Sequence, residues 1–211
     1  MNLADLAPAL VAVGIFILVA FPIHEFFHAF AAFKLGDSTA RWQGRLTLNP
    51  IVHFDPLGGT LTALSLLFSP ILFGWAKPTP VNPSNFRDRR NGDLIVSMAG
   101  PFSNLVMATL GAFVFRVLNQ TGILLDLPQN AVLGIYYFVA FNVLLAIFNL
   151  IPVPPLDGSA LLYRLLTPAQ AWRIRPILSQ YGFILVLGVF LLAGGYISRF
   201  IGDVTNFLVG V

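Results

Sequence analysis

Apolar residues fill four long stretches of this 211-residue chain, and polar residues gather in short clusters between them. The first stretch runs from about Leu6 to Phe33; the others cover Leu94–Leu118, Ala131–Ile151 and Ile177–Ala193. Each approaches or exceeds the ~20 residues that carry a helix across a bilayer. The pattern therefore predicts four spanning helices. A fifth apolar run, Thr60–Phe73, is short and holds Pro70. Runs of that length are typically re-entrant or buried, and this one is expected to re-enter. Before it, "RLTL" at Arg45–Leu48 alternates as a short strand does, and Pro50, Pro56, Gly58 and Gly59 break helix. Ser159–Leu166 reads as a short helix, and the tail from Tyr196 either continues the last span or lies at the interface. The expected fold class is an all-α integral membrane protein: a polytopic helical bundle with a short membrane-associated β or re-entrant element. Residues 1–211 read as a single domain.

Composition supports this reading. The chain is 57% hydrophobic and 10% charged, with mean hydropathy +0.81, whereas a soluble domain is about 25% charged. The absence of cysteine excludes disulfides and thiolate metal sites. The net charge of +3 is small, and the basic residues lie in short clusters between apolar runs, with no long basic stretch. That pattern argues against a nucleic-acid partner and for a lipid bilayer. No Lys or Arg precedes Lys34, so the first span is expected to be a retained helix and not a cleaved signal.

The basic clusters are residues 34–45, 77–90 and 164–175. All three fall on the cytoplasmic side if the first span runs inward and Thr60–Phe73 does not cross. The expected location is the cell membrane, multi-pass. Arg87–Arg90 reads as a topology signal rather than a lipid headgroup site, and Trp42, Trp75 and Trp172 fit an interfacial belt on that side.

Ionisable residues inside a span are costly and mark function by default. His24, Glu25 and His28 form H-E-x-x-H inside the first span. On a helix, positions i and i+4 share a face, so the two histidines can grip one metal ion. Zinc takes imidazole nitrogen and leaves a place for water in catalytic sites. Glu25 stands beside that place, where a carboxylate can act as general base. Glu25 is the only glutamate in the chain, and two of its three histidines flank it. A third protein ligand is expected among His53 and the aspartates. Asp157 is the preferred one, in a proline-rich break directly after a span. The alternative role for Asp157 is an N-cap on the helix that follows. His53 and Asp55 are either a polar pair near the metal, gating or contacting substrate, or simply turn-stabilising residues. The "RLTL" strand is a candidate edge for holding an unwound peptide.

"HEFFHAF", "MAGPFSN" at Met98–Asn104 and "FNLIPVPPLDG" at Phe148–Gly158 resemble the site-2 protease family of intramembrane zinc metalloproteases. The resemblance covers about Phe21 to Leu166. Asn149, Pro152, Asp157 and Gly158 match the family pattern N-x-x-P-x-x-x-x-D-G. It implies a catalytic core over about residues 6–166, with no PDZ or CBS domain evident. It implies one zinc ion per chain, with His24, His28 and Asp157 as ligands and Glu25 as base. Asn149 is then a catalytic residue that orients substrate or the oxyanion. Gly100, Pro101 and Asn104 match a G-P-x-x-N element expected to pack on the catalytic helix, with Asn104 as polar support. The implied activity is hydrolysis of peptide bonds in or near transmembrane segments, with a membrane-protein substrate and an active site nearer the cytoplasmic side. The rival reading is a membrane protein that binds or transports metal without hydrolysis, which leaves Glu25 without a role.

Overall fold

A computed structural model describes residues 10–68 and 77–211. The expectations for Leu6–Ala9, for the last part of the Thr60–Phe73 run and for Trp75 lie outside the described residues. Four helices among those described are long and apolar enough to cross a membrane, and the protein is an all-α polytopic membrane protein.

The first, α1 (Leu10–Lys34), contains a π-helical turn at Phe16–Ala20. Its cause is Pro22, which lacks an N–H and whose ring crowds the carbonyl four residues back. A π-bulge absorbs that conflict without ending the helix. The bulge sits immediately before the H-E-x-x-H turn. Gly36 then adopts φ +109°, a conformation open to glycine, and the chain turns away.

Arg45–Leu48 does not form the expected strand; it runs as bends between one-turn helices at Thr39–Trp42 and Pro50–His53. The alternation fails because Arg45 is buried. Its guanidinium donates to the carbonyls of Val52, Lys77 and Pro78, and no strand lies alongside among the described residues. The helix α2 (Pro56–Phe68) follows. The chain re-emerges beside its departure point, because the Lys77 amide donates to the His53 carbonyl at 2.9 Å.

The central element is α3 (Arg89–Gln120), which packs against α1 on one flank and against α4 (Gln129–Asn149) on the other. An irregular stretch leads to α5 (Gly158–Leu165), and α6 (Pro168–Val209) closes the chain. A capping box between Thr167 and Gln170 starts α6. At 42 residues it is about 63 Å long, twice the hydrocarbon thickness of a bilayer. Gly182 meets the Pro154 carbonyl so closely that a β-carbon would not fit. Near its far end, Ile201 and Val209 join Ala108, Ala112, Phe115, Val139 and Val143 in the main apolar core. The last span thus extends through the tail as one continuous helix. Arg116 caps it by donating to the carbonyls of Leu208, at 2.6 Å, and Phe207.

The three basic clusters share one end. Asp37 accepts from the Asn82 amide and the Asn85 side chain, which ties the first cluster to the second. Arg175 lies 3.8 Å from Asp93 at the start of α3, which brings the third alongside.

Candidate metal centre

His24 and His28 lie one turn apart on α1, and their Nε2 atoms are 2.9 Å apart. Asp157 Oδ2 lies 3.2 Å from each of them. Tetrahedral zinc ligands at 2.0–2.1 Å sit about 3.3 Å from one another, so the triangle has the size a zinc ion needs. The chemistry of these atoms fits as well. His28 Nδ1 is 2.7 Å from the Val96 carbonyl, which can only accept, so the ring proton sits on Nδ1. His24 Nδ1 is 2.6 Å from Asn104 Oδ1. Asn104 spends its Nδ2 on Asn142 Oδ1 at 2.8 Å, which leaves its oxygen facing the histidine. Both rings, when neutral, therefore turn bare Nε2 lone pairs toward Asp157 Oδ2. Three acceptors converge on one point, an arrangement that a cation stabilises and that a hydrogen-bond network does not.

Two glycines permit this convergence. A β-carbon on Gly100 would come within 2.6 Å of His24 Cε1 and closer still to the His28 ring. The proline-containing turn of α3 thus sets its bare backbone against both imidazoles. Gly158 is equally crowded, against the carbonyls of Leu150 and Ile151. Asp157 occupies the N-cap position of α5, yet its side chain makes no capping bond. Its carboxylate turns to the histidines, so of the two roles weighed for it, the geometry provides the metal-facing one.

Glu25 is buried on the neighbouring face. The Thr79 amide donates to its Oε2 at 2.7 Å, and the Thr79 hydroxyl donates to its main-chain carbonyl at 3.0 Å.

A protein from Bacillus subtilis (strain 168) named "Putative zinc metalloprotease YwhC" is 40% identical to this chain over 176 residues, covering 82% of this chain and 77% of that protein. The chain belongs to peptidase family M50. The model of that family, described as Peptidase family M50, matches residues 126–189, from just before α4 through the Asp157 loop into α6. A second relative, "Putative zinc metalloprotease Rip2" of Mycolicibacterium smegmatis, is 35% identical over 194 residues, covering 87% of this chain and 70% of its own. No solved structure matches the chain significantly. As a member of M50, the site-2 protease family, the protein is a zinc metalloprotease. Among the described residues, His24, His28 and Asp157 form the group with the spacing to hold that metal.

The other expected site residues fall into two sets. Asn104 stands against His24, as the G-P-x-x-N element implies for this M50 chain. Asn149 ends α4 and donates its amide to the Leu145 carbonyl at 3.0 Å. His53 is buried and is not a member of the metal group, with Nε2 2.8 Å from the Thr47 carbonyl. Asp55 accepts from the Gly58 amide at 2.8 Å and so caps α2. Both sit as turn-stabilising residues do.

Three residues escaped the sequence reading. Asn142 orients Asn104, and its own amide donates to the Phe138 carbonyl at 2.8 Å. A polar residue amid the apolar α4 was the available signal, by the same cost argument that picks out His24. Thr79 and Arg45 carried no such signal, because both lie in polar connecting segments.

Proposed function

We propose that this M50 protease hydrolyses peptide bonds in or near transmembrane segments of membrane-protein substrates, with one zinc per chain held by His24, His28 and Asp157. The observation that carries the reading is the convergence of three lone-pair atoms whose partner protons are already committed. When bound, zinc supplies Lewis acidity, acidifying a water and stabilising the developing oxyanion. Glu25 then serves as the base. One of its oxygens is held by the Thr79 amide, and the other takes the proton from the attacking water and hands it to the leaving amine. Asn104 and Val96 keep the ring protons on Nδ1, so the Nε2 atoms stay available as ligands. Asn149 acts as a donor to substrate or oxyanion once its amide leaves the Leu145 carbonyl. The basic end of the bundle, which lies beside Glu25 through Thr79, faces the cytoplasm of the cell membrane by the positive-inside rule.

The deciding experiment pairs two measurements on detergent-purified protein, wild type and Glu25→Gln. They are zinc content and cleavage of a transmembrane peptide. Both proteins are expected to hold about one zinc, and only the wild type to cleave. Zinc in the wild type with no cleavage of varied membrane peptides would favour metal binding or transport instead.

A further inference from the structure

The segment Lys77–Asn82 has no regular secondary structure and meets α1 at Glu25 through Thr79. Its sequence is K-P-T-P-V-N. Pro78 and Pro80 fix their own φ angles, and each also holds the preceding residue, Lys77 or Thr79, in extended conformation. The segment is stiff before it touches anything. Prolines carry no N–H, so between Lys77 and Val81 only Thr79 can donate from the main chain. That single amide lies 2.7 Å from Glu25 Oε2.

Both ends of the segment are tied down. At Lys77 and Pro78, the buried Arg45 guanidinium draws in the carbonyls, the second at 3.0 Å. Burial pushes the Arg45 guanidinium below its ordinary value, against the pull of the nearby Glu25 charge. At Asn82, the main-chain amide donates to Asp37 Oδ2 at 2.7 Å. Arg45 and Asp37 thus clamp a rigid strap whose middle residue holds one oxygen of Glu25.

We propose that this strap is the positioning element of the catalytic base. Thr79 N–H fixes the Glu25 carboxylate so that its second oxygen faces the water, and Arg45 holds the strap at that height. The proposal rests on the reading of Glu25 as base. Thr79 is a positioning residue, since it acts through Glu25.

The test uses the full chain in detergent, with zinc content, melting temperature, and kcat and KM on a transmembrane peptide measured for each variant. Thr79→Pro removes the N–H together with the hydroxyl, and Thr79→Val removes the hydroxyl and keeps the N–H, so the difference between the two variants reports the N–H. Thr79→Pro is expected to lower kcat about 10- to 100-fold, with KM within about twofold and zinc retained, as misplacing a catalytic group does. Thr79→Val is expected to lose no more than about threefold, since the bond to Oε2 survives. Should Thr79→Pro fail to fold, Arg45→Gln decides by the same split, with Arg45→Lys expected to restore part of kcat. Wild-type kcat in a folded, zinc-loaded Thr79→Pro overturns the proposal. So does a raised kcat, which would make the strap an inhibitory cover, or a change confined to KM, which would make it a substrate contact. If Glu25→Gln cleaves normally, the base assignment itself falls, which is a separate and distinguishable result.

Discussion

His24 and His28 are braced from within the helix bundle, whereas Glu25, between them in sequence, is braced from a loop. The imidazoles lean on α3: Val96 and Asn104 take their Nδ1 protons, and Gly100 makes room for the rings. The glutamate leans on Thr79, which belongs to a connection held by Arg45 and Asp37. One helical turn is thus supported by two independent structures. Helix packing inside an apolar bundle resists change, and it holds the two imidazoles proposed as metal ligands. A clamped loop is easier to displace, and it holds Glu25, the proposed base. The proposed roles therefore predict that metal affinity and turnover separate by mutation: changes in α3 and α4 are expected to act on zinc, and changes in the strap on rate.

The largest effect is expected at Gly100. A valine there would drive its side chain into both imidazoles. Neither the rings nor the α3 backbone has space to retreat, since His24, His28 and Ala20 are all buried against that helix. Gly100→Val should bind no zinc and cleave nothing, as measured by zinc stoichiometry of the purified protein. A variant that keeps one zinc would break the claim that α3 positions the ligands.

A smaller effect is expected one layer out. Replacing Asn104 with Leu removes the acceptor that fixes His24 and leaves its Nδ1 proton unpaired. Losses of this kind typically weaken metal binding about 10- to 100-fold. Asn142→Leu acts through Asn104, so its loss should be the lesser of the two. Zinc competition against a chelator ranks them. Equal or reversed effects would show that Asn142 does more than orient its neighbour.

The same division decides what was legible in the sequence. Spans, H-E-x-x-H and the Asp157 loop could be read because apolar surroundings make each polar residue conspicuous, and because i and i+4 on a helix fix their own geometry. Asn104 followed from a motif, and Asn142 was readable on the same physical ground, though it stands apart from the motifs. The strap was not readable. Its parts, Asp37, Arg45 and Thr79, are ordinary loop residues separated by tens of positions, and nothing local encodes their meeting. Arg45 even misled, since its alternation with Leu46 and Leu48 suggested a strand. Period-two patterning assumes that the polar side faces water, and here the arginine is buried on main-chain carbonyls. The length of α6 was obscured for a related reason. Gly194, Gly195 and Arg199 look like an end, but the helix passes through them.

The smallest effect is expected at Asp37, and it carries a pH signature. Its buried carboxylate accepts from the Thr39 amide and hydroxyl, the Asn82 amide and the Asn85 side chain. Burial opposes its charge, but these four donors prevail and hold its carboxyl below the ordinary value of 3.8. A depressed carboxylate stabilises the fold fully above its unfolded value, and that contribution fades as pH falls through the folded one. Asp37→Ala should thus cost about 2 kcal/mol at pH 7, or on the order of 5 °C in melting temperature. Its gap from wild type should narrow only below about pH 4. Because Asp37 holds the far end of the strap and not its middle, kcat should fall less than for Thr79→Pro, with zinc unchanged. A melting gap that persisted undiminished into strong acid would mean that the carboxylate's charge contributes nothing to the clamp. A loss of zinc in this variant would mean that loop and bundle are coupled after all.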